Sequence, residues 1–142
     1  VAITIKDNIN IVTSVMAALG DFARAMSELF HERYDPSHVK LIISYEWTGS
    51  LLGSLAKKFL GRPLITSIYS VESMRSNEKS LLSLNIHGLE MRFLHYSDLI
   101  VARSGEAYAR VLAEYRVPND KAKMALSSRD MASIVMEVLE SP

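Results

Sequence analysis

From Val39 to Ser70 the chain reads VKLIISYEWTGSLLGSLAKKFLGRPLITSIYS, and this stretch limits most strongly what the rest can fold into. An apolar run, Val39 to Ile43, is broken only by Lys40 and leads into the polar-aromatic cluster Ser44-Tyr45-Glu46-Trp47. Leu51, Leu52, Leu55, Ala56, Phe59 and Leu60 then recur at helical spacing. Gly61 stops that helix and Pro63 keeps it from resuming. A second apolar run, Leu64 to Ile68, ends in Tyr69-Ser70. Two β-rich runs joined by a helix make a βαβ unit, which places its strands parallel through a right-handed crossover. Open parallel sheets bind ligands beyond the carboxyl ends of their strands. Both polar-aromatic clusters fall at such ends, so the candidate site starts there.

The remaining segments alternate in the same way. The residues Ile11, Val15, Ala18, Leu19, Phe22, Met26, Leu29 and Phe30 trace one helical face between Asn10 and Tyr34. Gly20 costs that helix about 1 kcal/mol relative to alanine, and Asp35-Pro36 ends it. Val1 to Ile5 alternates weakly, as a short strand would. Val71 to Ser80 is polar and aperiodic and reads as a loop. Leu82, Ile86, Leu89, Phe93 and Tyr96 mark a helix over 81–97, and Leu99 to Ala102 a third buried strand. Ser104 is placed to cap a helix through Tyr108, Val111, Leu112 and Tyr115. Val117-Pro118-Asn119-Asp120 breaks that helix, and 121–126 reads as a weak fourth strand. Met131, Ile134, Val135, Val138 and Leu139 give the tail an amphipathic helix with serines at its start. Strand and helix alternating throughout imply an α/β domain with a mainly parallel sheet.

Charge and composition exclude several functions. Sixteen basic and sixteen acidic residues leave no net charge, so the basic face of a nucleic-acid binder is not expected. Without cysteine there is no disulfide framework, thiol nucleophile or thiolate metal site. No apolar run approaches the roughly 20 residues of a membrane span, and VAITIKDNIN lacks the order of a signal peptide. A soluble, cytoplasmic domain is the expectation, to which the lack of cysteine is suited without establishing it.

The histidines show no metal-ligand pattern. His31-Glu32 has no second histidine four residues on, His38 sits in a loop, and His87 and His95 are eight apart on one helix. No metal or cofactor is expected. Gly49 and Gly53 have the spacing of membrane helix pairs, but with no span they read as a close approach of helix to sheet. No G-x-G-x-x-G, P-loop or nucleophile elbow is present. Tyr45-Glu46-Trp47 and Tyr69-Ser70-x-Glu72 are informative by position. Trp47 offers a stacking surface and the carboxylates accept hydrogen bonds from hydroxyl groups, a mixture suited to a sugar. The same residues would equally serve as a core tryptophan and helix-capping carboxylates.

The order of motifs resembles the N-terminal domain of GT-B glycosyltransferases of the glycogen-synthase-like group, over roughly residues 10 to 125. That group has a strand ending in a His-Asp-Trp-like cluster and a helix ending Lys-Lys-x-x-Gly-x-Pro. It then has an Asp-x-Ile-x-x-x-Ser element and a Val-Pro-x-Asp-Lys turn. Trp47, Lys57, Lys58, Gly61 and Pro63 match the first parts, and Ser70 and Glu72 match residues after the family's histidine-bearing strand. Asp98, Ser104, Val117, Pro118, Asp120 and Lys121 match the last. Tyr45-Glu46 replaces His-Asp, and Tyr69 stands where the family has an active-site histidine against the donor sugar.

The resemblance implies a Rossmann-like three-layer domain with helices on both faces over 1–126, and a closing amphipathic helix over 127–142 that packs back on it. Together they would form the acceptor side of a cleft whose other side holds a nucleotide-sugar donor. It implies catalytic positions at Tyr69 and Glu72, and substrate contacts at Tyr45, Glu46, Trp47, Ser70, Arg75, Arg103 and Ser104. The partners implied are a sugar acceptor and, through a separate donor domain, a nucleotide sugar. The sequence shows no donor domain, so the chain is expected to be inactive alone. The alternative is a non-catalytic binding or scaffold module derived from such an enzyme and acting as a homo-oligomer.

Overall fold

The computed structural model describes residues 11–32, 35–76 and 80–141, which belong to two compact units, 1–39 and 40–142. The strand expected at Val1–Ile5 lies outside the described residues. The first unit holds α1 (Ile11–Glu32), the helix its apolar period implies. A 3-10 turn over Pro36–His38 follows, capped by the Asp35 carboxylate, which accepts the Ser37 N–H at 2.9 Å.

The second unit runs β1 (Ile42–Tyr45), α2 (Glu46–Leu60), β2 (Leu64–Ile68), α3 (Glu72–Arg75), α4 (Leu81–Tyr96), β3 (Leu99–Ala102), α5 (Gly105–Ala113), β4 (Ala122–Met124) and α6 (Ser128–Glu140). Its four strands form one all-parallel sheet in the order β1-β2-β3-β4. The α/β class and parallel sheet agree with the alternation in the sequence. Two elements differ from expectation. β1 starts at Ile42, because Ile42 registers with Leu64 where β2 begins, leaving the preceding residues no strand to pair with. Val39 instead donates its N–H to the Pro36 carbonyl at 3.2 Å. The expected loop over 71–80 contains α3, whose Met74 packs against the core and whose Glu72 and Arg75 are tied to α4. Those contacts are tertiary and leave no period in the sequence.

A parallel sheet that grows in one direction with crossovers of one hand puts every crossover helix on the same face. α4 and α5 meet there over Ile68, Ile100, Ala102 and Ala122, with Leu94, Val111 and the wholly buried Tyr115 between them. On the opposite face α6 lays Met131, Ile134, Val135 and Val138 over Ile65, Leu99 and Val101. Helices thus cover both faces, as a three-layer Rossmann-like domain requires. α6 starts with a capping box: Ser127 Oγ accepts the Asp130 N–H at 3.1 Å, and the Asp130 carboxylate accepts the Ser127 N–H at 2.8 Å.

α2 sits unusually close to β1 and β2. A Cβ at Gly53 would stand 2.8 Å from Leu64 Cδ1 and 2.9 Å from Ser44 Cβ, so glycine is required; at Gly49 the nearest atom would be an ordinary 3.7 Å away. Beneath α2 the sheet buries hydroxyls, which need partners. Ser97 Oγ donates to the Phe93 carbonyl at 3.0 Å, so Thr66 donates to Ser97 at 2.7 Å and Ser44 to Thr66 at 3.0 Å. One directed chain therefore satisfies three buried side chains across two strands and the end of α4. Among the described residues no helix is long and apolar enough to cross a membrane.

Candidate functional site at the carboxyl edge of the sheet

Because β1 and β2 are parallel neighbours, their carboxyl ends share one edge, with Tyr45 in register with Ser67. The chain turns from β1 into α2 at Glu46, whose φ of 58° is a left-handed conformation that costs a non-glycine residue about 1 kcal/mol or more. Two contacts hold it there: the Glu46 carboxylate accepts the Tyr69 N–H at 2.6 Å and lies 3.7 Å from the Arg75 guanidinium. The ends of both strands are thereby bonded directly to each other. Glu46 does not cap α2; its side chain reaches across to β2 instead.

Arg75 is the next link. It donates to the Ser70 carbonyl at 3.1 Å, to Ser70 Oγ at 3.0 Å and to Glu72 at 3.2 Å, and it pairs with Glu90. Burial opposes its charge, but bonding to Glu90 and Glu72 outweighs that and raises its pKa. Glu90 is only 3% exposed and is the hub of the arrangement. Besides Arg75 it accepts the Glu72 N–H at 2.8 Å and the Tyr115 hydroxyl at 2.5 Å. Since Tyr115 gives its proton to Glu90, its oxygen accepts from His87 Nδ1 at 3.0 Å, which fixes that tautomer. His95 donates from Nε2 to the Tyr115 carbonyl at 2.7 Å. Burial, then the bond to Glu90, pushes the Tyr115 phenol far above its ordinary range.

Between the start of α2 and the middle of α4 lies a small hollow, lined by Trp47, Ser50, Ile68, Ser70, Val71, Glu90 and Leu94. It encloses about 200 Å³ counting its open mouth. Among the described residues Glu90 is its one charged lining residue.

The sequence-predicted residues divide into two groups. Glu46, Tyr69, Ser70, Glu72 and Arg75 form the connected network just described, and Trp47 shares the hollow with Ser70. Arg103 lies 5.6 Å from the centre of the Tyr69 ring, and Ser104 Oγ is 3.5 Å from the Tyr69 carbonyl while capping α5 through the Ala107 N–H at 3.1 Å. Strand alternation puts Tyr45 and Tyr69 on the α6 side of the edge, opposite the hollow. They are 59% and 58% exposed. Glu72, by contrast, is buried against Arg75.

Glu90, Tyr115 and His87 were not singled out from sequence. A signal existed: Ile86, Glu90 and Leu94 are the buried positions of α4, so a carboxylate occupies the middle of its core-facing stripe. A charge at such a position has to be paired. Among the described residues no cluster of three or more metal-ligating side chains occurs. No protein-family model matches the chain, and no curated protein matches it.

Proposed function

We propose that the chain is the acceptor-side domain of a sugar-nucleotide-dependent hexosyl transferase of the glycogen-synthase-like kind, and that a carbohydrate binds at the carboxyl edge of its sheet. The observation that carries this reading is the Glu46 bond to the Tyr69 N–H, which joins the two aromatic-acidic strand ends into one surface. Exposed tyrosine faces suit the C–H face of a sugar ring, and carboxylates and serine hydroxyls suit its hydroxyl groups. In this reading Glu72 acts through Arg75 as a positioning residue, because its carboxylate is buried and paired rather than open to a substrate. Tyr69 contributes its ring and hydroxyl at the rim. Transfer needs a donor-binding domain, on this polypeptide or another, to hold the two reactants in line. The test is calorimetric titration of residues 1–142 with a neutral gluco-oligosaccharide, with a product assay in UDP- or ADP-glucose. Binding without transfer is expected; turnover by these residues alone, or no heat from any sugar, overturns the reading.

The burial of Glu72 and Glu90 favours a second reading, a non-catalytic binding or scaffold module that acts as an oligomer. A dimer by light scattering combined with no sugar heat selects it.

A further inference from the structure

We infer that the hollow under Trp47 is a subsite for one uncharged hydroxymethyl arm of the ligand, with Glu90 as acceptor and Ser70 as donor. The inference rests on the sugar-binding reading. It seats the ring whose arm enters at the mouth of the hollow, on the α2 and α4 side of the edge and not on the Tyr45 and Tyr69 rings opposite.

The count of hydrogen-bonding positions leads there. A carboxylate offers about four lone-pair positions. Glu90 Oε2 takes two donors, the Tyr115 hydroxyl and the Glu72 N–H, whereas Oε1 takes Arg75. Among the described residues Oε1 has no further donor and keeps an accepting position, on a side chain that lines the hollow. Of the hydroxyls there, Ser50 donates to the Glu46 carbonyl at 2.7 Å, so its proton is engaged. Ser70 Oγ accepts from Arg75 at 3.0 Å and retains its own proton to give. The hollow thus presents one acceptor and one donor, the complement of an alcohol, which both donates and accepts.

Size and charge narrow the choice. Its interior has room for about one water-sized group, so a ring is excluded and only the hydroxyl end of a protruding arm enters. A carboxylate or phosphate would meet Glu90, with Glu46 and Glu72 close by and Arg75 already shared among the three. An ammonium would lose its hydration against the Ile68, Val71 and Leu94 walls. An uncharged alcohol avoids both costs, and the hydroxymethyl group is the arm that projects from a hexopyranose ring.

Trp47 is the only tryptophan of the chain, so its fluorescence reports on this hollow directly. Methyl glucoside, 6-deoxyglucose, glucuronate and 6-amino-6-deoxyglucose would be titrated against residues 1–142, reading tryptophan emission and heat in parallel. Methyl glucoside is expected to perturb Trp47 and to bind roughly tenfold or more tighter than the other three, the scale of one hydrogen bond to a charged acceptor. Ser70→Val, which removes the donor and narrows the mouth while leaving Glu90 in place, should erase that preference; Glu90→Gln should do the same if it folds. Equal binding of 6-deoxyglucose, or tightest binding of the amino sugar, overturns the subsite. Sugar heat with no change at Trp47 overturns it and leaves the sugar reading standing. No heat from any sugar overturns both.

Discussion

The two edges of the sheet use similar residues to opposite ends. At the amino edge Lys57 reaches the Tyr96 carbonyl at 2.9 Å and Asp98 at 2.8 Å, and Asp98 in turn accepts the Leu64 N–H at 2.8 Å. Gly61 ends α2 with a φ of 61°, and the Pro63 carbonyl takes the Ile42 N–H at 2.9 Å. Every one of these groups closes a loop or starts a strand. At the carboxyl edge the charged side chains are also bonded, but one of them, Glu90, lines a hollow, and aromatic rings are left exposed. Lys57, Gly61, Pro63 and Asp98 all belong to the glycosyltransferase-like pattern, and all are accounted for by folding alone. Their presence speaks for an architecture; only Trp47, Ser70 and Ser104 among the matching residues stand where a ligand is met, Glu72 being buried against Arg75.

That contrast can be broken by substitution. The largest effect is expected from Glu90→Ala, which leaves Arg75, the Tyr115 hydroxyl and the Glu72 N–H without their shared acceptor. About 3 kcal/mol of stability should be lost, measured by urea unfolding, together with the Trp47 response to sugar. An effect under 1 kcal/mol would remove Glu90 as the hub. Tyr115→Phe comes next, with a cost of about 1–3 kcal/mol from the lost bond to Glu90. Its signature is pH dependence. The folded pKa of Tyr115 is raised above the unfolded value of about 10. The neutral phenol's contribution is therefore whole below pH 10 and lost as the pH rises beyond it. Wild type should lose stability more steeply than Tyr115→Phe above pH 10; parallel curves would contradict the assignment.

Smaller effects separate the edges. Asp98→Ala removes a half-exposed ion pair and the bond to the Leu64 N–H, costing about 1 kcal/mol, and sugar binding should be unchanged. A loss of binding would mean that the amino edge matters to the ligand. The smallest effect concerns strain. Among the described residues two non-glycine residues adopt positive φ, Glu46 at 58° and Arg116 at 52°. Arg116→Gly should raise stability by about 0.5 kcal/mol, the relief of left-handed strain less the entropy of a freer unfolded chain. Glu46→Gly should bring no such gain, since the same relief is offset by loss of the carboxylate's bond to the Tyr69 N–H, and sugar binding should fall. Thermal melts of the two variants side by side would decide; equal stabilisation would mean that the Glu46 bond contributes nothing.

Much of this fold was legible in the chain. Apolar runs of four or five residues, one Gly-x-Pro stop and serine caps are local signals, and β2, β3, α4 and α6 emerge at or within a residue or two of where those signals put them. β1 was misplaced at its start because a strand exists only where a partner strand does, and pairing is invisible locally. The strand-end clusters were legible too, as parallel strands bring their ends to one edge. The network behind them was not.

What the sequence determined by itself is the class of the fold and the edge at which to look, because alternation and caps act over a few residues. What tertiary structure decided is which charges are used up. Glu72, Glu90, Arg75 and Tyr115 come from two helices and the turn after α5, and packing, not spacing, brings them within hydrogen-bond reach. A buried carboxylate takes whatever donors the packing delivers, and the position it keeps open is therefore a property of the folded chain alone.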